Sequence, residues 1–317
     1  MTSHVVIGGC GFLGRHVVRA LAERGDEVSV VDRVNFPAGS LAVKTTILDV
    51  PRASAHEFDS LVGTADVIHH YAWTTIPATA NADPLADLQD NLALTIGLLD
   101  AMKRRGGGRI VFASSGGTVY GRLRTIPVPE CHALEPIAAY GASKVTAEKY
   151  LQLYRYLHGI DTRIARISNP YGAGQNPAQR QGVVTAFVHR ALAGDTIEIW
   201  GDGKVVRDFI YIADVVSGLI ALADVAGFDD SDPPVFNIGS GRGSSLIEIM
   251  DLIERELGRP LCVENKPARA FDVPVNVLDI VKAHRVLGWA PKISIQVGIA
   301  YTAGDLALDP TRRFSSR

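Results

Sequence analysis

Val5-Val6-Ile7-Gly8-Gly9-Cys10-Gly11-Phe12-Leu13-Gly14-Arg15-His16-Val17-Val18-Arg19-Ala20-Leu21 decides the fold. A short apolar run at 4–7 reads as a buried strand. Leu13, Val17, Val18 and Leu21 then recur on one side of a helix expected over 13–24. Between them lie Gly8, Gly11 and Gly14, each separated by two residues. Such a turn needs glycine for its unusual dihedrals and for close backbone approach to a pyrophosphate. The following helix presents its N-terminal amides to the negative charge. Alone, the glycine triplet is a loose pattern that other strand-to-helix turns share.

Working outward, the next strand, at 27–31, is followed directly by Asp32, about 20 residues on. A carboxylate there accepts hydrogen bonds from adenosine ribose hydroxyls and repels a 2′-phosphate. NAD is therefore favoured over NADP, although Arg33 beside it keeps NADP open. Further strands are expected at 45–48, 66–69, 109–113 and 162–167, with helices at 91–104 and 142–158. Strands alternating with helices predict a Rossmann-type, doubly wound parallel sheet covered on both faces. After Asn169 the texture changes. The stretch 171–182, rich in Gly, Pro, Asn and Gln, reads as a loop, and later elements are short and broken by turn residues. We expect a Rossmann domain at 1–168 and a smaller, interwoven α+β substrate lobe at 169–317, with part of 205–236 returning to the first domain.

Bulk properties narrow the function class. The 317 residues are 47% hydrophobic and 21% charged, enough to bury a large core. A net charge of −2 argues against nucleic acid as partner. Cys10, Cys131 and Cys262 are too sparse for a disulfide framework, and neither they nor the nine histidines have metal-ligand spacing. Buried or idle thiols in a reducing cytosol are the expectation, and His69-His70 reads as structural. With no signal-like start and no run of 18 apolar residues, neither secretion nor a membrane span is expected, and the location is read as cytoplasmic.

The chemistry points to Tyr140-Gly141-Ala142-Ser143-Lys144. At the start of a helix, Tyr140 and Lys144 share a face. An ammonium nearby favours the phenolate, so the phenol is expected to titrate below its usual range and act as acid and base. The same ammonium can hold a nicotinamide ribose. Upstream, Ser114-Ser115-Gly116-Gly117-Thr118-Val119-Tyr120-Gly121 leaves a strand at the carboxyl end of the sheet, where open parallel sheets bind ligands. Surface placement of Tyr140 and Lys144, and capping by the serines, are the ordinary alternatives.

The order of these motifs resembles the extended short-chain dehydrogenase/reductase family over roughly residues 4–300, and within it the NAD-dependent epimerase/dehydratase group typified by UDP-glucose 4-epimerase. The resemblance implies a bound NAD contacted by Gly8, Gly11, Phe12, Leu13, Gly14, Asp32, Arg33, Asp49, Val50, Tyr71, Ala72, Asn91, Ser114, Tyr140, Lys144 and Ile167. It implies a UDP- or dTDP-sugar in the second lobe, met by Thr118, Asn169, Trp200, Arg207, Arg269, Asp272 and Asn276, and a homodimer. Two arginines from separate elements make physical sense as a diphosphate clamp; for Arg207 alone, an ion pair with nearby acids is the competing role.

The family's dehydratases carry an Asp-Glu pair where this chain has Gly117-Thr118, and its decarboxylases place Glu at 118. Both reactions are disfavoured, leaving 4-epimerase first and 4-keto-sugar reductase second. The epimerases' catalytic serine falls at Gly116. Its role is expected to pass to Thr118, with Ser115 as helper. Asn276 matches the family's size-gating tyrosine, so bulkier sugars, such as N-acetylated ones, are expected to fit.

Overall fold

The computed structural model describes residues 1–177, 182–228, 232–267 and 273–308. The first half alternates as read from the sequence: β1 (Ser3–Ile7), α1 (Phe12–Glu23), β2 (Glu27–Asp32), β3 (Val43–Ile47), α2 (Ala55–Val62), β4 (Val67–His70), α3 (Pro84–Arg105), β5 (Arg109–Ser115), α4 (Ala139–His158) and β6 (Asp161–Ile167). The helix expected at 91–104 begins two turns earlier, because the Asp83 side chain caps it at 3.0 Å from the Ala86 amide and Pro84 pre-sets its first φ. The sequence reading missed α2. Its capping box is intact, with Ser54 Oγ accepting from the Glu57 amide and Glu57 reaching back to the Ser54 amide at 2.7 Å.

The remaining elements are β7 (Asn169–Tyr171), α5 (Val183–Ala193), β8 (Ile197–Trp200), β9 (Val206–Tyr211), α6 (Ile212–Asp224), β10 (Val235–Ile238), β11 (Gly243–Ser245), α7 (Leu246–Leu257), β12 (Val263–Lys266), β13 (Val275–Asn276), α8 (Val281–Leu287) and α9 (Ile295–Leu308). Asn169–Tyr171, partly read as loop, is a strand because its backbone pairs in register with Phe209–Tyr211.

The main sheet runs β3-β2-β1-β4-β5-β6-β10 and is parallel throughout. Strand order reverses between β1 and β4, so the loops after these strands diverge and leave a crevice at their carboxyl ends. Central strands are apolar on both faces: Val5, Val6 and Ile7 of β1 and Ile110, Val111 and Phe112 of β5 are all buried. Each such side chain contributes about 1.5–3 kcal/mol on leaving water. β9 organises a second sheet, with β11, β13 and β7 as its partners, and β8 pairs β12 separately. One apolar cluster runs without a break from Val6 and Val17 under the main sheet to Tyr171, Phe187 and Ile299 beyond it. The glycine turn is also tied to the 172–174 segment: Arg15 Nη1 donates to the Gly174 carbonyl at 3.4 Å, and His16 Nε2 lies 2.8 Å from the Ala173 carbonyl.

Candidate active site

The crevice is built first by backbone. Gly8 has φ +84°, and a Cβ there would lie 2.5 Å from the Ala72 amide nitrogen. At Gly14 a Cβ would sit 2.1 Å from the Gly8 carbonyl oxygen, so the first turn of α1 lies directly against the strand end. Tyr71 and Ala72 donate backbone N–H to the Ile7 carbonyl at 3.0 and 2.9 Å, which brings the loop after β4 against the glycine turn. Phe12 and Leu13 open α1. At the end of β2, Asp32 accepts from the Cys10 amide at 2.9 Å and from the Arg33 amide at 2.7 Å, which fixes its carboxylate beside the turn. Arg33 itself is exposed. A narrow glycine cradle, a helix N-terminus and an oriented carboxylate fit the pyrophosphate and ribose of NAD. Farther out, Asp49 pairs with Arg52 at 2.8 Å and Val50 is buried. The Cys10 thiol is pushed up to about 11 by burial and by Asp32, an unreactive state. Cys131 and Cys262 are free and exposed rather than buried.

Tyr140 and Lys144 lie in the first two turns of α4, which begins at Ala139. Lys144 is buried; its Nζ donates to the Ala113 carbonyl at 2.8 Å and stands 3.6 Å above the Trp73 ring. The Tyr140 ring meets Trp73 edge-on at 6.3 Å, and its centroid is 5.7 Å from Lys144 Nζ. The expectation for the phenol is corrected here. Burial, then the charge of Asp87, push Tyr140 above its ordinary value, and burial pulls Lys144 well below its own despite Glu148 and Asp87. For both groups the loss of hydration on burial is the largest cause of the shift.

Asn91 does not present its amide outward. Its Oδ1 accepts from the Thr74 amide at 2.9 Å and its Nδ2 donates to Asp87, so it holds the 73–75 loop in place. Ser114 Oγ donates to Glu148 at 2.5 Å, and Glu148 takes a forked pair from Arg166. Arg166 also donates to the Tyr120 hydroxyl at 3.0 Å. Ile167, buried at the end of β6, accepts the Gly116 amide at 2.8 Å. Ser115 starts the turn, with its carbonyl accepting from Thr118 and Val119, and the buried Thr118 Oγ1 has no protein partner.

Gly116 has a steric reason. A Cβ there would come 2.5 Å from Leu278 Cδ1 and 3.2 Å from the Arg166 carbonyl oxygen, so Leu278 occupies the room a serine would need. Asn276 is also buried against this loop. Its Nδ2 donates to the Gly116 carbonyl at 3.2 Å, and its Oδ1 has no protein partner. Asn169 Nδ2 donates to the Asp208 carbonyl at 3.0 Å. Arg207, opposite Asn276 in the β9–β13 pair, donates to the Val206 and Val273 carbonyls at 2.9 and 2.6 Å. Trp200 ends β8 and is 42% exposed. Arg269 and Asp272 lie outside the described residues. The sequence reading missed Trp73, Asp87, Glu148 and Leu278, whose spacing carries no signal of its own.

Among the described residues no group of histidines, cysteines and carboxylates could hold a metal, and no helix is long and apolar enough to cross a membrane. Fold and site define a dinucleotide-dependent α/β enzyme with a Tyr–Lys centre. The sequence model of the NAD dependent epimerase/dehydratase family matches residues 4–239. The chain belongs to that family, its cofactor is NAD, and it is a nucleotide-sugar enzyme of the extended short-chain dehydrogenase/reductase type. It is 33% identical to UDP-glucose 4-epimerase of Mycolicibacterium smegmatis over 306 residues, covering 94% of this chain and 96% of that protein. It is 32% identical to dTDP-4-dehydro-6-deoxyglucose reductase of Escherichia coli over 311 residues, covering 93% and 94%. The crystal structure of Thermus thermophilus UDP-glucose 4-epimerase with NAD superposes with a TM-score of 0.85 at 28% identity, covering 96% and 98%.

Proposed function

We propose that the protein is a nucleotide-sugar 4-epimerase acting on a UDP- or dTDP-sugar, with Tyr140 as its acid and base. The observation that carries this reading is the pairing of Tyr140 and Lys144 at the end of β5, beside a loop that offers hydroxyls and no carboxylate at 117 and 118. NAD, which the glycine turn and Asp32 would hold, would supply the hydride acceptor and donor for sugar C4. Tyr140 takes the 4-hydroxyl proton and gives it back. Lys144, held by the Ala113 carbonyl and the Trp73 face, supplies the positive charge that makes the phenolate accessible once substrate is bound. Thr118 Oγ1, buried and unpartnered, is the hydroxyl available to the sugar oxygen, with Ser115 beside it. Asn169, Trp200, Arg207, Arg269 and Asp272 form the nucleotide-diphosphate end in this reading, and Asn276 leaves room for a bulkier sugar.

A 4-keto-sugar reductase is the second reading. It is favoured by the closed position at Gly116 and by the likeness to the Escherichia coli reductase. We also propose a lobe boundary at 168/169 and a homodimer in the cytoplasm. A second copy fits the α3–α4 face, where Leu85, Leu88, Leu153 and Leu157 are exposed.

The test is a panel of sugar nucleotides followed by NMR, with the ligand released from purified protein identified by mass spectrometry. An epimerase releases NAD and inverts C4 with no added reductant. Stoichiometric NADH consumption on a keto sugar replaces this reading with the second. Tyr140→Phe lowers kcat about 10²–10⁴-fold while NAD stays bound; full activity in that variant ends the acid/base assignment.

A further inference from the structure

Asp87, on α3, is fully buried within the site and has no role in the mechanism above. Its Oδ2 accepts from Ser143 Oγ at 2.5 Å; Ser143 belongs to the same turn as Tyr140 and Lys144. Its Oδ1 accepts from Thr75 Oγ1, in the loop after β4, and from Asn91 Nδ2 at 3.1 Å. All three are donor-to-oxygen contacts, the pattern an acceptor-only carboxylate satisfies. Three segments therefore meet on one side chain: the first turns of α4, the 73–75 loop and α3. Trp73, whose ring carries Lys144 Nζ, belongs to that loop.

Charge points the same way. Lys144 is buried, and its ammonium form needs an anion nearby. Glu148 on α4 is near it, but Glu148 is already forked onto Arg166 and accepts from Ser114. Among the described residues no arginine or lysine is in ion-pair contact with Asp87. The groups facing Lys144 are Tyr140 and Glu148 from α4, Asp87 from α3, His70 from β4 and the Ala113 carbonyl and Phe112 ring from β5. His70 is held neutral by burial and by Lys144.

We propose that Asp87 is a positioning residue of the Tyr140–Lys144 centre, tying the start of α4 to the 73–75 loop and supplying the negative charge that balances Lys144. The inference rests on the reading of Tyr140 and Lys144 as the reacting pair. Its test needs no substrate, so it stands or falls separately from the choice of sugar reaction.

The experiment is an NMR titration of Lys144 in protein with labelled lysine side chains, the resonance assigned by Lys144→Met. Asp87→Asn keeps the size and one acceptor oxygen, turns the other into an amide donor and removes the charge. The Lys144 ionisation constant should rise about tenfold, its midpoint falling to lower pH, the scale of one nearby charge. Ser143→Ala and Thr75→Val each remove one hydrogen bond and keep the charge. They should leave that midpoint in place and displace the Tyr140 ring resonances, assigned by Tyr140→Phe. An unmoved Lys144 midpoint in Asp87→Asn overturns the charge role. If Asp87→Asn does not fold, unmoved Tyr140 resonances in both hydroxyl variants overturn the proposal.

Discussion

The two ends of the crevice are built from different materials. At the cofactor end, recognition is a matter of backbone: Gly8 and Gly14 leave no room for a Cβ, and Asp32 is held by two amides. At the end proposed for the substrate it is a matter of side chains already spoken for. Arg207 rests on two carbonyls and Asn276 on the Gly116 carbonyl. A binding surface made of backbone changes little without breaking the fold. One made of side chains is retuned by single substitutions, and relatives at similar identity are named for different reactions.

The comparison breaks first at Gly14. Its missing Cβ would fall 2.1 Å from the Gly8 carbonyl oxygen and 2.7 Å from Gly9 Cα, both backbone atoms. Gly14→Ala should therefore cost about 3 kcal/mol in chemical denaturation and abolish NAD retention together. Wild-type NAD content in that variant would show that the turn yields, and the contrast with the substrate end would lose its basis.

The cofactor end also rests on buried histidines, which makes it acid-sensitive. His70, whose Nε2 lies 2.9 Å from Thr95 Oγ1, is pulled down to about 3 by burial and by Lys144; His69 is also held well below its ordinary value by burial. Both folded values lie below the unfolded value near 6.5. Stability is thus full above about pH 6.5 and is lost as pH falls, for His70 down to about pH 3. Each excluded proton contributes a slope of about 1.4 kcal/mol per pH unit. Urea midpoints between pH 7 and 5 should show this, and His70→Leu should remove one histidine's share. A slope unchanged in His70→Leu would mean the imidazole is protonated in the fold.

How much was legible follows the same division. The alternation of elements and the glycine turn were readable because period and spacing are local properties of Gly8, Gly11, Gly14, Leu13, Val17 and Leu21. The helix start at Pro84 and α2 were written in capping chemistry, at Asp83 and at Ser54 with Glu57, but the apolar periodicity did not reach them. Tyr140 and Lys144 were readable as a pair, yet the direction of the phenol's shift was not. That direction depends on burial against Trp73 and on Asp87, which come together only across the loop after β4, α3 and α4. Gly116 was visible as a departure; its cause, Leu278, lies 162 positions away and belongs to no motif.

That pair sharpens the substrate side. Gly116→Ser forces a Cβ against a Leu278 methyl and against the Arg166 carbonyl oxygen, and should cost about 1–2 kcal/mol. Leu278→Ala alone leaves a cavity under the loop and costs about 2–5 kcal/mol. If the two positions share one space, the double variant should be less destabilised than the sum of the singles by about 1 kcal/mol. Strict additivity would separate the positions and leave the glycine without a steric cause.

The smallest effect on stability is expected where the proposed substrate end is most open. Trp200 closes a four-residue strand and is 42% exposed, so Trp200→Ala removes little buried surface and should change the urea midpoint by less than about 1 kcal/mol. Binding should respond differently. If the indole lies against the nucleotide base, its loss removes an apolar face from the ligand without disturbing the glycine turn at the other end of the crevice. Calorimetry with UDP and with NAD separates these outcomes: UDP affinity should fall several-fold while NAD affinity holds. Equal losses for both ligands would show that β8 supports the whole crevice, and the division between a rigid cofactor end and a tunable substrate end would have to be redrawn with Trp200 on the rigid side.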